Sequence, residues 1–446
     1  MARKILFCKI VCFFLFFVCL KVNATTIDEV IKQNPQFNNA IIAISVKDAK
    51  TNNIIYQKNE KKLLHPASTL KLITSFVALD YLGSDYSFDT AFYKNGQDLY
   101  LKIGADPLFK YSDMQNLVAQ YKTKNQGTIK NLYIDDTIID KVPYGIGWQW
   151  DDNTNVHFPQ ISPYIINDNL FYVKATINKN KILIQNAIEY SEPIKNNLKL
   201  GEKKAITVTR DMFSNQTVNI NGTIKEPTMI SIPAKNPQLM FNNILGYTFL
   251  QNQIPFNAHF KYAQLPRFSA KEAIISHSLQ DVLKEINQNS NNLAAEILIK
   301  HLANAKTEKT GTTKDGLEVV KNFYIQNYVD MQNICLVDAS GASMNDYVTA
   351  DFMTNALFVI RNSNNFDIIE NSLSDTNKGT FKGRLPELAG KVKAKTGTLA
   401  NTSAVIGYIK TSSGRDLTFA ILLDNMPFGI NAKEMENNLL KAIYKL

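Results

Sequence analysis

The sequence predicts an α/β (α+β) protein in which one sheet contains segments from both ends of the chain. Runs of aliphatic and β-branched residues typical of strands lie near both termini, at 40–46, 403–409 and 417–423. Between residue 276 and the last two strands, apolar residues recur mainly with helical spacing. Strands at both ends with helices between them favour one α/β domain whose sheet joins the terminal segments.

Residues 89–266 differ in character from the rest of the chain. Short strand patterns are punctuated there by glycine, asparagine and proline, and residues 170–260 alternate apolar and polar side chains as strands do. A length of 446 residues allows two or three domains. We therefore expect a domain made of residues 25–88 and 267–446 that carries 89–266 as a large, mostly β insertion.

The N-terminus has the pattern of a signal peptide. A basic start precedes an apolar run from Ile5 to Leu20, and small residues lead to a cleavage position after Ala24. The alternative, an uncleaved anchor helix, is disfavoured because Lys9 shortens the uninterrupted apolar run below the ~20 residues that span a bilayer. Residues 1–24 therefore predict export to the periplasm.

Charge and cysteine content limit the classes of function. The formal net charge is +9, and the chain after residue 24 keeps 45 basic and 40 acidic residues without a Lys/Arg run interleaved with aromatics. This pattern argues against a nucleic-acid partner. Cys335 is the only cysteine after residue 24, and its apolar neighbours predict a buried strand thiol. The five histidines are scattered with no H-E-x-x-H, so we expect no catalytic metal and no cofactor.

The stretch after the first hairpin predicts a nucleophile. Strands at 40–46 and 54–57 are followed by a helical pattern that Gly83 ends as a C-cap. Ser68 lies in its first turn and Lys71 lies three residues later on the same face. Helix-start N–H groups stabilise negative charge, and an amine whose pKa is lowered by burial can accept the serine proton. An S-x-x-K alone is weak evidence, since a capping serine and an exposed lysine give the same pattern.

The other predicted elements follow from apolar periodicity and capping residues. Helices are expected at 27–32, 113–122, 279–287, 293–303, 316–328, 351–362 and 431–444, and strands at 99–103, 131–137 and 391–395.

Two pairs of aspartates stand out in the predicted insertion. Asp135 and Asp136 end a strand pattern, and Asp151 and Asp152 follow the only two tryptophans of the chain. Four carboxylates could form a metal or acid/base site. Strand-end and turn carboxylates are the favoured interpretation.

Two further motifs complete an acyl-transferase pattern with S-x-x-K, namely S-x-N and K-T-G. Ser290 opens an S-x-N on a short loop between two predicted helices, whereas Ser363 follows a helix end and Ser343 lies in a turn. Lys395 ends a strand pattern before two long β runs, whereas Lys309 lies in a polar loop. The site needs an edge strand and a loop that reaches over the cleft, so Ser290 and Lys395 are favoured.

In this order of motifs the chain resembles the type-4, class C low-molecular-mass penicillin-binding proteins, which are D-alanyl-D-alanine carboxypeptidases/endopeptidases. The resemblance covers nearly all of the mature chain, and the long insertion between the first two motifs is specific to this family. It implies a penicillin-binding/β-lactamase-like transpeptidase domain, with an antiparallel sheet flanked by helices. The segments that carry it, besides the three motifs, are 104–107, 134–137, 147–152, 290–296, 338–341 and 379–384.

The resemblance also implies catalytic roles. Ser68 attacks the carbonyl between two D-alanines and forms an acyl-enzyme that water hydrolyses. Lys71 is the expected general base, Ser290 relays the proton to the leaving amine, and Asn292 binds the substrate amide.

Substrate binding is implied for the third motif. Lys395 and Thr396 are expected to hold the terminal carboxylate, and Gly397 belongs to the same motif. The backbone N–H groups of Ser68 and Thr398 would form the oxyanion hole. Asp135 matches a family position near the cleft and is expected to contact the substrate side chain.

The expected substrates are peptidoglycan stem peptides or their cross-links, with β-lactams as covalent inhibitors. The family commonly has arginine where this chain has Met344, so preference for a charged third residue of the stem peptide is open. A β-lactamase is one alternative, disfavoured by the long insertion. A catalytically silent envelope-binding protein on the same fold is another, disfavoured because all motif residues are present. The sequence leaves oligomeric state open.

Overall fold

A computed structural model of the chain describes residues 26–125, 129–179, 181–211, 216–256, 259–427 and 429–446. The predicted signal peptide, residues 1–24, lies outside the described residues. Among the described helices, none is long and apolar enough to cross a membrane.

The first half of the described chain contains most of the short strands. Its elements are α1 (Ile27–Lys32), β1 (Ile41–Asp48), β2 (Ile54–Lys58), α2 (Leu70–Leu82), β3 (Ser87–Asn95), β4 (Asp98–Lys102), α3 (Tyr111–Lys124), β5 (Asn131–Asp135), β6 (Leu170–Asn178), β7 (Lys181–Asn186), β8 (Ile194–Leu200), β9 (Ala205–Arg210), β10 (Val218–Ile224) and β11 (Thr228–Pro233).

The second half contains most of the helices. Its elements are α4 (Pro237–Gln251), β12 (Phe260–Tyr262), β13 (Ala270–Ser278), α5 (Leu279–Gln288), α6 (Asn292–Thr307), α7 (Thr313–Gln326), α8 (Ala350–Arg361), α9 (Phe366–Ser372), β14 (Val392–Leu399), β15 (Thr402–Lys410), β16 (Asp416–Asp424) and α10 (Ala432–Tyr444).

One antiparallel sheet joins the two ends of the chain, in the order β14-β15-β16-β1-β2. Side chains of a strand alternate between its faces, and both faces of this sheet are covered. Along β16, Ala420 and Leu422 pack with helices α2, α5, α6, α7 and α8, whereas Phe419 and Ile421 pack with α1 and α10. The predicted fold class is confirmed, with an antiparallel sheet between two layers of helices.

A second five-stranded sheet, ordered β12-β5-β4-β3-β13, carries the middle of the chain. Two three-stranded sheets, β8-β10-β9 and β11-β6-β7, share its hydrophobic core with helices α3 and α4. Strands β3 and β13 pair antiparallel, with Ser87 opposite Ser278. The chain therefore leaves the helical layer after α2 and returns to it at α5 through adjacent strands.

One helix of this middle region contradicts the alternating strand pattern expected across residues 170–260. Helix α4 begins at an asparagine cap, where the Asn236 side chain accepts from Leu239 N, and Pro237 occupies its first turn. Its buried positions include Met240, Phe241 and Ile244, which have helical spacing. A proline suits the first turn of a helix because no N–H is needed there, so the local signal favoured a helix.

The environment of Cys335 also differs from the prediction. Its side chain is exposed, and its backbone pairs only through an isolated bridge with Tyr347. An isolated bridge does not bury a side chain between layers as a sheet does. The apolar neighbours Ile334 and Leu336 are only partly buried at the edge of the helical core.

Candidate active site

Ser68 lies at the start of helix α2, in a 3-10 turn over Ala67–Thr69. Ala67 has a φ of 45°, a left-handed conformation that non-glycine residues rarely adopt. Two glycines allow other chain segments to approach this turn. A Cβ on Gly341 would collide with Ala67 O, and a Cβ on Gly397 would lie 2.8 Å from Ser68 N. The turn Ala67–Thr69, the loop that contains Gly341 and strand β14 therefore meet at Ser68.

Lys71 is fully buried, and its ammonium group has three acceptors. Its Nζ lies 2.9 Å from Ser68 Oγ, 2.6 Å from Asn292 Oδ1 and 2.7 Å from Ser340 O. The three acceptors come from three separate segments. The geometry holds the amine against the serine oxygen.

Burial sets the acidity of this lysine. It lowers the pKa of Lys71 to about 8, while the buried carboxylates Asp338, Glu296 and Asp346 act in the opposite direction. Burial also raises the pKa of Glu296, whose Oε1 accepts from Ala339 N and Ser340 N. A pKa of about 8 leaves an appreciable neutral fraction at pH 7, so Lys71 can act as a general base.

The second predicted motif lies directly opposite. Ser290 has a φ of 60° on the short loop between α5 and α6, and its Oγ accepts from Lys395 Nζ at 2.8 Å. Asn292 contributes its Oδ1 to Lys71 and donates from Nδ2 to His157 O at 2.8 Å. One Nδ2 hydrogen of Asn292 therefore contacts the middle region of the chain.

The third predicted motif lies within strand β14. Lys395 is fully buried, and burial followed by the charge of Lys71 lowers its pKa well below the ordinary value. Its Nζ also contacts Thr396 O at 2.9 Å, and Thr396 Oγ1 donates to Thr380 Oγ1 at 2.6 Å. Strand β14 is the edge strand of its sheet, so it places the Lys395 amine and the Thr396 hydroxyl at the sheet edge.

These residues surround a cleft of about 550 Å³. Six predicted residues line it: Ser68, Ser290 and Asn292 on the side of the helical layer, and Thr396, Gly397 and Thr398 of strand β14. The middle region forms the opposite wall with Gln149, Asp152, Asn155, His157 and Phe158.

Asp135 is not brought to this cleft. Its Oδ1 accepts from Thr137 N and Oγ1, and its Oδ2 accepts from Leu265 N. The buried carboxylate of Asp135 accepts backbone hydrogen bonds at the end of β5, as expected for a strand-end aspartate. Of the four aspartates noted in the sequence, Asp152 lines the cleft. In the described part of the chain, no cluster of three His, Cys, Asp or Glu side chains is arranged to hold a metal.

Three residues of the site were not assigned a role from sequence. His65 contacts Asp424 at the end of β16 and the backbone of Met344. Asp338 accepts a hydrogen bond from Ser340 Oγ in the loop whose carbonyl contacts Lys71. Lys433 of α10 lines the cleft. Asp338 stands in a recognised motif, which was a usable signal. His65 and Lys433 stand in none, and only packing places them here.

His65 has acceptors on both ring nitrogens. Nδ1 lies 2.7 Å from Asp424 Oδ2 and Nε2 lies 3.1 Å from Met344 O. Only the imidazolium form donates from both nitrogens. The hydrogen bond to Asp424 is the main cause that raises the pKa of His65, and the pKa of Asp424 falls to about 2 despite its burial.

This pair predicts a pH-dependent stability. Because the folded-state pKa of His65 is raised, its contribution is complete below the unfolded value of about 6.5 and is lost as pH rises through the folded value. Asp424 contributes above about pH 4 and loses its contribution as pH falls toward 2. We expect His65→Asn to cost ~1.5–3 kcal/mol between pH 4 and 6.5, and less at pH 9.

Denaturant unfolding of both proteins across this pH range measures the difference. His259→Asn is the matched control, since His259 is exposed. A destabilisation by His65→Asn that stays constant with pH would contradict a charged His65.

Comparison with known proteins gives concordant matches. A family model described as the D-Ala-D-Ala carboxypeptidase 3 (S13) family matches residues 23–444. D-alanyl-D-alanine carboxypeptidase DacB of Haemophilus influenzae is 23% identical over 441 residues, covering 91% of each chain. D-alanyl-D-alanine carboxypeptidase of Actinomadura sp. (strain R39) is 26% identical over 435 residues, covering 88% of this chain and 79% of the relative.

Solved structures with the same fold are also known. The crystal structure of penicillin binding protein 4 (dacB) from Haemophilus influenzae has a TM-score of 0.82 at 21% identity, covering 94% of this chain and 99% of the other. A structure of that protein complexed with a β-lactam has a TM-score of 0.77.

Proposed function

Because the chain belongs to the D-Ala-D-Ala carboxypeptidase 3 (S13) family, and is thus a serine peptidase, we propose that Ser68 is its nucleophile. The substrates are peptidoglycan stem peptides ending in D-Ala-D-Ala, or their D-Ala cross-links, and β-lactams are covalent inhibitors. The single observation that carries this proposal is the 2.9 Å contact between Ser68 Oγ and the fully buried Lys71 Nζ.

Acylation begins when the neutral amine of Lys71 takes the proton of Ser68 Oγ–H as that oxygen attacks the substrate carbonyl. The tetrahedral oxyanion lies against backbone N–H groups of Ser68 and Thr398, where removing one donor typically costs ~10²–10³ in rate. As the C–N bond breaks, the proton that Lys71 took from Ser68 passes through Ser290 Oγ to the leaving amine, and Lys71 becomes neutral again. Water then hydrolyses the Ser68 ester and restores the serine.

Recognition of the terminal carboxylate rests on strand β14. Lys395 and Ser290 are in contact, and the hydroxyl of Thr396 lies beside them on the cleft wall. A free carboxylate matches this group of donors, because its negative charge favours the protonated form of Lys395. Asn292 offers its second Nδ2 hydrogen to the substrate amide. Asp135 is left out of this proposal because backbone contacts occupy both of its oxygens.

The proposal extends to domain limits and location. We assign the catalytic unit to residues 25–88 and 267–446, and the mostly β insertion to 89–266, since one sheet contains both terminal segments; the paired strands β3 and β13 connect the two units. Residues 1–24 are assigned as a cleaved signal peptide on their basic start and apolar run. The enzyme would then act in the periplasm, where stem peptides are exposed.

The test uses residues 25–446 with two substrates and one inhibitor. We expect release of D-alanine from an N-acylated tripeptide ending in D-Ala-D-Ala, and a stable covalent band with a fluorescent penicillin. Cleavage of a cross-linked muropeptide dimer would add endopeptidase action. A folded protein that neither takes the label nor releases D-alanine would be a silent binding protein, and rapid loss of the label would indicate a β-lactamase.

The repeated K-T-G motif supplies a matched pair of variants. We expect Lys395→Ala to lower kcat/KM for the tripeptide by about 10–10², the value of a charge-assisted hydrogen bond. Lys309→Ala should keep wild-type activity, because Lys309 lies between α6 and α7 and does not line the cleft. Equal losses in the two variants would remove the assignment of Lys395 to carboxylate binding.

A further inference from the structure

A second cavity of about 500 Å³ opens on the helical side of the molecule. It is bounded by the loop 140–146, the start of helix α7 and the segment 331–337. Its walls are mainly apolar: Leu317 and Met331 are buried, whereas Val142 and Ile146 of the loop are 52% and 65% exposed. This volume and apolar lining are typical of small-molecule sites.

Lysines supply the charge around this cavity. Lys314 and Lys321 of α7 are exposed at its mouth, and neither has an ion pair among the described residues. The buried Lys300 forms an ion pair with Asp140 at its wall. Glu318 adds one negative charge, so the lining keeps a positive excess that favours an anionic group beside an apolar body.

Two chain segments lead from the walls of this cavity to the catalytic cleft. Gly145 lines the cavity, and a Cβ there would lie 2.5 Å from Trp148 Nε1, so the indole packs directly on this backbone. Trp148 Nε1 donates to Asp338 Oδ2 at 2.8 Å. Beyond Trp148 the same segment reaches Asp152, which lines the cleft.

The second of these segments leads to Lys71. Val337 lines the cavity and donates from its backbone N to Asp346 Oδ1 at 2.7 Å. The chain continues through Asp338 to Ser340, whose carbonyl accepts from Lys71. A molecule in the cavity therefore contacts both segments that position Asp338 and Ser340 beside Lys71.

We propose that this cavity is an effector site for a small amphipathic anion, with an aliphatic or aromatic body between Ile146 and Leu317 and an acidic group at Lys314 and Lys321. Binding covers the exposed loop residues and orders the walls that position Asp338 and Ser340. Occupancy then raises the rate of acylation at Ser68. The binding part stands independently of the catalytic assignment, whereas the rate effect rests on the proposed function.

Cys335 provides a direct reporter of occupancy, because it lines the cavity, is exposed and is the only cysteine of residues 25–446. The probe is 8-anilinonaphthalene-1-sulfonate, an aromatic sulfonate. We expect its fluorescence to rise saturably, and alkylation of Cys335 by iodoacetamide to slow in proportion to occupancy. Prior acylation with benzylpenicillin should leave both signals intact, which excludes binding in the catalytic cleft.

Two paired variants test the lining. Val142→Asp/Ile146→Asp and Lys314→Glu/Lys321→Glu change exposed residues and should weaken probe binding and the protection of Cys335. Ile54→Asp, at an exposed strand position, and Lys203→Glu/Lys204→Glu are the controls that should bind normally. Unchanged alkylation of Cys335 at a saturating probe concentration, or equal binding by all variants, would overturn the site.

The rate effect has its own measurement. At saturating probe, we expect acylation by a fluorescent penicillin to accelerate by about fivefold or more, the usual lower range of allosteric coupling. The Val142→Asp/Ile146→Asp variant should lose this acceleration. Protection of Cys335 with an unchanged or slower acylation rate would overturn the effector role, whereas a protein that takes no penicillin at all would overturn the catalytic proposal and leave Cys335 protection as the test of the cavity.

Discussion

Ser68→Ala is expected to abolish covalent labelling by penicillin and to lower kcat for D-alanine release by about 10⁴–10⁶, the usual cost of removing a serine nucleophile. The substitution deletes one oxygen from the 3-10 turn that precedes α2. Lys71 keeps two of its acceptors, Asn292 Oδ1 and Ser340 O, so its amine stays hydrogen-bonded. The variant should therefore fold with a Tm close to that of the wild type.

The measurement combines gel fluorescence, D-alanine release and thermal unfolding of the same preparations. Ser363→Ala is the control, since Ser363 begins the competing S-x-N motif and its Oγ donates a hydrogen bond to Ile360 O at the end of α8. It should label and turn over normally. A labelled Ser68→Ala protein would place the nucleophile elsewhere, and a normal Tm would show that the loss is chemical.

Lys71→Met is expected to lower kcat by about 10²–10⁴, the range for a general acid–base group. In the wild type, kcat/KM should rise as pH increases through about 8, because burial lowers the pKa of Lys71 to about 8 and the neutral amine is the active base. Methionine has a similar volume and no proton to exchange. The rise near pH 8 should therefore disappear in the variant.

Stability must be separated from catalysis in this variant. Without the lysine, Asn292 Oδ1 and Ser340 O lose a donor, at a cost of ~1–3 kcal/mol for each buried group left unsatisfied. Lys47→Met is a suitable control, because Lys47 is 4% exposed, pairs with Asp351 at 2.7 Å and does not line the cleft. It should lose stability and keep both the rate and its pH profile. Retention of the pH 8 rise by Lys71→Met would exclude Lys71 as the base.

Local patterns predicted the elements of the site well. The S-x-x-K spacing spans the 3-10 turn Ala67–Thr69 and the start of α2, and the structure confirms Gly83 as the C-cap of α2. The helix expected at 279–287 is α5, and the Ser278 side chain caps it by accepting from Asp281 N. Such signals depend on hydrogen bonds within a few residues, so sequence alone contains them.

Choosing between repeated motifs required context, and the structure supplies the distances. Ser290 and Lys395, favoured from their predicted surroundings, lie 105 residues apart and meet at 2.8 Å. The expectation that Asp135 contacts substrate rested only on a matching position in the family. In the structure its carboxylate accepts hydrogen bonds from Thr137 and Leu265 at the end of β5. The sequence of a strand-end aspartate is the same whether its carboxylate binds substrate or accepts hydrogen bonds from backbone N–H groups.

By itself the sequence determined the order of motifs, the caps, and the strand and helix periods that place Ser68 beside Lys71. Only the tertiary structure decided that Lys71 is buried and that three acidic side chains affect its pKa. It also decided that His65 bridges Asp424 to Met344 O, and that a second cavity lies next to the segments that position Asp338 and Ser340. The physical reason is the range of the interactions. Periodicity and capping act within one element, whereas burial, pKa and cavity walls depend on how distant elements pack against each other.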